Sequence, residues 1–358
     1  MGSTGWSANT GPDAPRRRGA TDAAGLAVLG SCAAWSLITA TARAGRPEGV
    51  LLSVLAVAAG YACGRISGAL VPVAASAAAG LCGVWLAVVA PQGGPAPDTM
   101  APLGRAGATA ALLALSAGAL CCAAWSARQR ALRIALHVLA AGTVVVAVAI
   151  GSRTGGAACA GIVLYSLAAA GMRRRAAGLV GLGLVTAAVA ALGVALAKSA
   201  LPSGTAAALE GRLTPHRVLL WRDALRMADS DPVLGVGPGR FEELSRTSAQ
   251  SPLSDTKPHS AVLQVAAEQG VVGAVLLAAA YCWLLYALWR SARSNQVVLA
   301  GGVALTAVAA LASVSNALSF TTVTVGVGLL AGIATAEPLT DDPLHDVAAP
   351  AGARDGHE

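Results

Sequence analysis

Ten apolar runs, each close to the length of a membrane-spanning helix, alternate with polar connections along the chain. A helix needs about 20 apolar residues to cross the hydrocarbon core of a bilayer. The runs that meet or approach this length are residues 23–42, 49–64, 67–90, 106–126, 132–150, 155–172, 177–197, 262–289, 297–315 and 320–336. The pattern therefore predicts an all-α, polytopic membrane protein with about 10 transmembrane helices.

The longest polar interruption, residues 198–258, separates the seventh run from the eighth. A chain that mostly faces lipid has few places for chemistry, so this loop and the helix ends beside it form the leading candidate site. Residues 1–22 and 337–358 are polar and are predicted to be disordered tails. The transmembrane domain is therefore expected to span residues 23–336.

The composition supports the membrane assignment. Hydrophobic residues make up 55% of the chain, charged residues 12%, and the mean hydropathy is +0.64. Alternating ten-residue strands are absent, which favours a helical bundle over a barrel. The seven cysteines lie in apolar segments without Cys-x-x-Cys spacing, so they are interpreted as small core residues and predict neither a zinc site nor disulfides.

Arginine placement predicts how the helices are oriented. The net charge of +7 comes almost entirely from arginines grouped between apolar runs, as in membrane topology signals, so a nucleic-acid partner is not expected. With the N-terminal arginines inside, the helix count places every dense basic group in the cytoplasm: Arg16–Arg18, Arg65, Arg128–Arg133, Arg173–Arg175 and Arg290–Arg293. Both termini are then cytoplasmic, and Ser152–Thr154 and the 198–258 loop are external.

The loop itself contains three local signals. Thr214-Pro215 is typical of an N-cap followed by proline at the first helical position, and the helix is predicted to reach about Ala228. Arg217 and Trp221 share one face of that helix at i, i+4. The segment Gly235–Gly239 predicts a sharp turn, followed by a short helix at Phe241–Arg246.

The first helix after the loop is predicted to begin at Pro258-His259. Because Val271–Trp289 alone nearly spans a bilayer, residues 259–270 are expected to extend the helix outward. This extension keeps the charge of Glu268 near water. Gly270 and Gly273 are interpreted as helix-packing notches.

Four patterns together resemble the O-antigen ligase and O-antigen polymerase superfamily of bacterial membrane glycosyltransferases, over about residues 140–290. They are Ser152-Arg153-Thr154 after an apolar helix, Arg217 before Trp221, the segment Pro232–Phe241, and the spacing of His259, Leu263, Gln264, Glu268, Gly270 and Gly273. One position departs from the family pattern, because Ser260 stands where asparagine usually follows the histidine. The resemblance implies a GT-C-like helical fold, with the long external loop between helices 7 and 8.

The resemblance also implies a reaction, the transfer of a glycan from an undecaprenyl-diphosphate-linked donor to a hydroxyl group of a glycan or lipid acceptor. Arginine forks suit the leaving diphosphate, so Arg153 and Arg217 are the candidates to hold it. His259 is the candidate base, since the ordinary pKa of histidine lies near neutrality. The candidate substrate-binding residues are Trp221 and Phe241, whose rings would stack on a sugar, with Lys257, Gly237, Gln264 and Glu268.

Simpler interpretations remain open for these residues. Arg153 would then anchor a helix end at the headgroups, Arg217 would be a solvated charge, and His259 an interfacial cap. Gln264 and Glu268 are expected to order the external helix end more than to act directly. His137 is interpreted as a packing residue, and Asp229-Ser230-Asp231 as a turn, so neither a metal nor another cofactor is expected.

The leading functional prediction is thus an inverting, metal-independent ligase-like or polymerase-like glycosyltransferase. Its active site would lie on the outer face of the cytoplasmic membrane, in cell-envelope or exopolysaccharide biosynthesis. The alternative is a transporter or flippase of a lipid-linked or small anionic substrate, although no internal repeat typical of transporters is evident. A scaffold of an envelope-assembly complex is a third possibility.

Overall fold

The computed structural model describes residues 13–89, 102–172, 174–198, 215–247 and 257–337. This part of the chain is helical and contains no strand. The helices are α1 Asp13–Arg43, α2 Glu48–Leu70, α3 Pro72–Val89, α4 Pro102–Ser126, α5 Arg130–Ala149, α6 Arg153–Ala168, α7 Arg175–Ala197, α8 Pro215–Ser230, α9 Phe241–Leu244, α10 Ala261–Arg290, α11 Asn295–Val314 and α12 Thr321–Thr335.

The all-α polytopic fold is confirmed. Within the described ranges, nine helices are long and apolar enough to cross a membrane, and each overlaps one of the predicted runs. The third run, residues 67–90, was predicted to begin too early, because its first residues belong to α2, which ends at Leu70. The tenth run corresponds to α12, which has only 15 residues. Helix α1 begins at Asp13, so residues 13–22 of the predicted N-terminal tail are helical, whereas 1–12 and 338–358 lie outside the described residues.

The centre of the bundle is formed by α4 and α11, most of whose apolar residues are buried. The other long helices surround them and expose leucine, isoleucine and valine side chains over most of their length, as expected of a lipid-facing surface. The cysteines divide between these two environments. Cys121, Cys122 and Cys159 are buried as predicted, but Cys63, Cys82 and Cys282 are exposed, so the interpretation as core residues was wrong for those three.

The most extensive helix contact joins α2 to α12. Glycines on both helices let the backbones touch: a Cβ atom on Gly64 would lie 2.2 Å from the carbonyl oxygen of Leu329, and one on Gly328 would lie 2.2 Å from that of Val57. Such close approach is how helices associate in lipid, where no hydrophobic force drives them together. Helix α2 is therefore packed closely against α12, the last of the described helices.

Arginines of several connections meet at one end of the bundle, here called the basic end. Their contacts are Arg65 with Asp22 at 3.3 Å, Arg175 with the carbonyl of Ser291 at 2.7 Å, Arg293 with that of Gly68 at 2.7 Å, and Arg133 with that of Ala127 at 3.1 Å. His137 lies in this region too, with its ring against Trp125, in keeping with a packing role. The predicted grouping of these arginines is thus present, and their cytoplasmic location stays a prediction.

The opposite end, here called the loop end, carries α8, α9 and the start of α10. Helix α8 packs mainly on α10 and on α7. A small second core joins these elements, separate from the main core, and is formed by Leu196, Ala197, Leu220, Trp221, Ala224, Phe241, Leu263 and Ala267. The described part of the polar loop, residues 215–247, is therefore a cap packed on the helix ends.

Candidate functional site

Helix α10 is broken at Gly270, which has φ 69° and ψ −168° inside an otherwise helical run. The break leaves backbone groups without their helical partners, and the segment Pro232–Phe241, here called the glycine loop, binds them. The amide of Val236 donates to the carbonyl of Ala267, and the amide of Gly237 donates to the carbonyl of Glu268, both at 2.9 Å. The amide of Val271 donates in turn to the carbonyl of Pro232 at 2.8 Å. The prediction of a packing notch at Gly270 was therefore wrong.

Only glycine fits at the two closest points of this contact. A Cβ atom on Gly270 would lie 2.2 Å from the carbonyl oxygen of Val233, and one on Gly235 would lie 2.6 Å from that of Ala267. Gly235 also has φ 66°, in the left-handed region that favours glycine. The glycines of the two sequence patterns are thus two halves of one backbone interface.

Helix α8 is attached to the segment that carries His259. The indole Nε1 of Trp221 donates to the carbonyl of Pro258 at 2.5 Å. Trp221 is completely buried and Phe241 is 2% exposed, so both rings belong to the second core. The expectation that they stack on a sugar does not match this placement, because neither ring has a free face. They hold the site together instead.

His259 is buried at 2% exposure and has φ 46°, the left-handed conformation that histidine adopts more readily than most residues. It lies directly before the N-cap of α10. The hydroxyl of Ser260 accepts a hydrogen bond from the amide of Leu263 at 3.4 Å. Capping is a role that serine and asparagine share, which accounts for serine at the position where the family pattern has asparagine.

Arg217 lies on α8 one helical turn before Trp221, the residue that joins this helix to the segment of His259. Its side chain is partly buried. The elements that carry the guanidinium of Arg217 and the imidazole of His259 are thus joined at the loop end, and a shared role of the two groups stays a prediction.

Glu268 is 5% exposed and ties α10 to the glycine loop. Its carboxylate accepts from the backbone amides of Gly239 and Phe241 and from the side chain of Gln264 at 3.4 Å, and the charge of Lys257 lies nearby. Lys257 itself is exposed. Glu268 is thus enclosed by protein and not turned toward water, unlike the sequence-based expectation. These contacts are those of a residue that orders the loop.

Gly237, the last of the expected binding residues, is buried with φ 101°. A Cβ atom there would lie 2.8 Å from the Cβ of Arg43. Its place is therefore at the contact between the glycine loop and the end of α1.

Arg153 is exposed at the start of α6, where the hydroxyl of Ser152 caps the helix by accepting from the amide of Gly155 at 3.2 Å. Helix α6 packs mainly on α4, α5 and α11, and not on α8. The end of α4 near Gly155 also contacts the end of α11, beside the second core. Arg153 therefore lies at the loop end, as predicted, but its connection to the His259 region is indirect.

The family comparison agrees with this geometry. The model of the O-antigen ligase family matches residues 138–278, which include α6 to α8, the glycine loop and the break in α10. Residues 138–278, here called the ligase domain, are therefore similar to this family. No curated protein and no solved structure matches the chain.

The ligase domain supports the resemblance that the four sequence patterns suggested, and it indicates a membrane glycosyltransferase-like function. It contains every candidate site residue, from Arg153 to Glu268. It does not contain α1 to α4, although α1 contacts the glycine loop directly. The bounds of the family match are therefore narrower than the structural unit that forms the site.

Sequence reasoning missed Asp223, a 3% exposed carboxylate on α8 of the ligase domain. It accepts from the hydroxyl of Ser245 at 2.8 Å and the amide of Thr247 at 3.0 Å, and it pairs with Arg226. Burial alone would raise the pKa of Asp223, but the hydrogen bonds from Thr247, Ser245 and Arg226 outweigh it and lower the pKa. Only the i, i+3 spacing to Arg226 was visible in the sequence.

Asp223→Asn is expected to lower the free energy of unfolding by about 1–3 kcal/mol, because the amide keeps one acceptor oxygen for Ser245 and Thr247 but turns an NH2 donor toward the guanidinium of Arg226. Since the folded-state pKa is lowered, the stabilisation is complete above the ordinary aspartate pKa of about 3.9 and is lost as the pH falls through the folded-state value. Thermal unfolding in detergent at neutral and acidic pH measures both effects.

The matched control is Asp229→Asn, an exposed aspartate on the same helix, expected to change stability by less than about 0.5 kcal/mol. Equal stability of the two variants at neutral pH would show that the Asp223 contacts do not support the fold. An acid-induced loss that persists in Asp223→Asn would show that another group causes it.

Sequence reasoning also missed the contacts made by the end of α1 and the turn that leads into α2. The carbonyl of Arg43 accepts from Nη1 of Arg240 at 2.8 Å, and the amide of Arg46 donates to the carbonyl of Pro238 at 2.7 Å. The side chain of Arg43 forms an ion pair with Asp231. Asp231, part of the Asp-x-Asp triplet, is thus engaged in the turn, where it also accepts from the amide of Leu234.

Proposed function

We propose that this chain transfers a glycan from an undecaprenyl-diphosphate-linked donor to a hydroxyl group of a lipid or glycan acceptor. The reaction would take place at the loop end, on the outer face of the cytoplasmic membrane. The observation that carries the proposal is the seating of the glycine loop in the break of α10. This contact brings the helix of Arg217 and the segment of His259 together at the end of the bundle opposite the basic end.

The proposed chemistry is a single displacement at the anomeric carbon. The bond from that carbon to the donor phosphate breaks as the bond to the acceptor oxygen forms, which inverts the configuration. His259 accepts the proton of the attacking hydroxyl group. The leaving diphosphate gains negative charge, which the guanidinium of Arg217 stabilises through paired hydrogen bonds. Arg153, at the same end of the bundle, would bind the more distant part of the diphosphate or the lipid phosphate.

No metal is assigned a role in this proposal. Metal-dependent glycosyltransferases use a divalent cation to stabilise the leaving diphosphate, and here guanidinium groups would supply that positive charge. Within the described ranges, no group of three or more histidine, cysteine or acidic residues is placed to hold an ion. Asp231 contacts Arg43 and Leu234, which accounts for the acidic triplet without a ligand role.

Arg217→Lys tests the proposed diphosphate contact. Lysine keeps the charge and hence the membrane orientation, but it lacks the fork of two donors, so we expect transfer to fall by roughly 10²-fold. In cells that lack the native chain, lipid-linked glycan should accumulate and the transferred product should decrease. Arg153→Lys is expected to give a smaller decrease of the same kind, because Arg153 lies farther from His259.

The matched control is Arg222→Lys, an exposed position on the same helix, where product should stay at the level of the unaltered chain. Normal product from Arg217→Lys, with equal amounts of protein in the membrane, would exclude a bidentate diphosphate contact at this residue. A loss of product without any accumulation of lipid-linked glycan would exclude a transferase and favour a step before transfer.

A further inference from the structure

We propose that the end of α1 and the turn into α2, which lie outside the matched ligase domain, form part of the active site, with Arg43 as a positioning residue. Here this unit, residues 35–47, is called the N-terminal clamp. It contacts the glycine loop and the broken helix that carries the candidate catalytic histidine. The inference rests on the proposed function, since its consequence is a change in glycan transfer.

The clamp holds the glycine loop at both of its ends. Asp231 directly precedes the loop and pairs with the side chain of Arg43, and Arg240 near the end of the loop donates to the carbonyl of the same residue. Between them, the amide of Arg46 donates to Pro238. A loop with three glycines of positive φ has many alternative conformations, so contacts at both ends select the one that fits the helix break.

The clamp also contacts the break itself. The indole Nε1 of Trp35 donates to the carbonyl of Gln269 at 3.0 Å, directly before Gly270. Three carbonyls directly precede the break. The glycine loop binds those of Ala267 and Glu268, and the clamp binds that of Gln269. Because buried carbonyls without partners are costly, Trp35 and the loop together stabilise the broken geometry.

Exposure distinguishes Arg43 from its neighbour Arg46. The side chains of the Arg43–Asp231 pair are 40% and 26% exposed, whereas those of the Arg46–Glu243 pair are 71% and 46% exposed. Exposed ion pairs contribute little, and partly buried ones with fixed partners contribute more. Close packing supports this choice, since Gly237 leaves no room for a Cβ atom beside Arg43. Arg43 is therefore the clamp residue whose loss should displace the loop.

Displacement of the loop is expected to affect turnover more than donor binding. Arg43 does not contact the reacting groups; it acts through the glycine loop on Glu268 and the start of α10. A shift of about 1 Å at a catalytic group can lower a rate roughly 10²-fold, even when binding is preserved. A variant of Arg43 should thus lower kcat and leave the KM for the donor nearly unchanged.

The experiment compares Arg43→Glu, Asp231→Arg, the two combined, and Arg43→Lys in membranes that contain the full chain. The donor probe is undecaprenyl-diphosphate-linked glycan extracted from cells that lack the chain, and acceptor is supplied by the same membranes. Each single charge reversal is expected to lower kcat about ten-fold with KM changed less than about two-fold. The combined variant restores the pair of opposite charges and should recover at least about a third of the original kcat, and Arg43→Lys, which keeps the charge, should retain at least the same fraction.

The control is Asp22→Asn, which removes the Asp22–Arg65 pair between the same two helices at the basic end, and which should leave transfer unchanged. The inference is overturned if Arg43→Glu loses no more activity than this control. It is also overturned if the charge-swapped chain, present at normal amounts, is no more active than the single variants. A fully active Arg43→Glu beside an inactive His259→Ala would refute the clamp alone, whereas an active His259→Ala would refute the proposed function.

Discussion

Replacement of His259 by alanine is expected to lower glycan transfer by about 10²–10⁴-fold, the usual contribution of a positioned general base. Lipid-linked donor should accumulate in cells as the transferred product disappears. The fold should survive the change, because the backbone hydrogen bonds of the glycine loop do not involve the imidazole ring. The measurement is the ratio of lipid-linked to transferred glycan at matched amounts of protein in the membrane.

The control for this experiment is His137→Gln. His137 lies near the basic end, where its Nδ1 contacts the carbonyl of Arg133 at 2.9 Å. Glutamine at this site should leave transfer intact. Unaltered product from His259→Ala would eliminate this residue as the base, and equal losses in the two histidine variants would point to a general defect of the bundle.

Replacement of Gly270 by alanine is expected to abolish transfer and to destabilise the loop end. The combination of φ 69° and ψ −168° is essentially confined to glycine, and the added Cβ atom would lie 2.2 Å from the carbonyl oxygen of Val233. Since that oxygen belongs to backbone, it cannot rotate away as a side chain would. The glycine loop would have to leave the break, and its three backbone hydrogen bonds to the broken helix would be lost.

Gly181→Ala is the matched control, since an added Cβ atom there meets nothing within 4 Å on α7. Alanine should be neutral or slightly stabilising at this position, because glycine is the weaker helix former. The rate of protease cleavage between α8 and α10 measures the stability of the loop end, and the transfer assay measures activity. Wild-type transfer by Gly270→Ala would mean that the broken geometry is not needed for activity.

Hydropathy was sufficient to predict the fold class and the positions of the helices. A membrane helix is specified by a local property, the length of an apolar run, and every predicted run overlaps a helix of the structure. The arginine groups similarly predicted which helix ends lie together. Arg65 and Arg293 belong to different connections, yet both bind groups at the basic end.

The broken helix was not predicted because its cause is distant in sequence. Gly270 and Gly273 have the spacing of packing glycines, and nothing within α10 indicates a break. The backbone of Pro232 and Val236 supplies the compensating hydrogen bonds, and only the folded chain brings it there. The same reason applies to Asp223, whose partners Ser245 and Thr247 lie in a separate element.

The aromatic residues show a second limit of sequence reasoning. Trp221 shares a helix face with Arg217, and an aromatic residue near a cation in a predicted sugar site suggests stacking. The same spacing also suits a core position, and the structure places Trp221 and Phe241 in the second core. Whether an aromatic residue faces a ligand or the interior depends on what packs against its helix, which the spacing alone does not contain.

The glycine contact between α2 and α12 has a consequence for biosynthesis. The N-terminal clamp leads directly into α2, and the main partner of α2 is α12, which is synthesised after the other described helices. At a synthesis rate of roughly 5–20 residues per second, Gly60 and Gly64 are made tens of seconds before Gly328 and Gly332, the glycines that pack against α2. The contact between α2 and α12 therefore forms only after the other described helices have been synthesised.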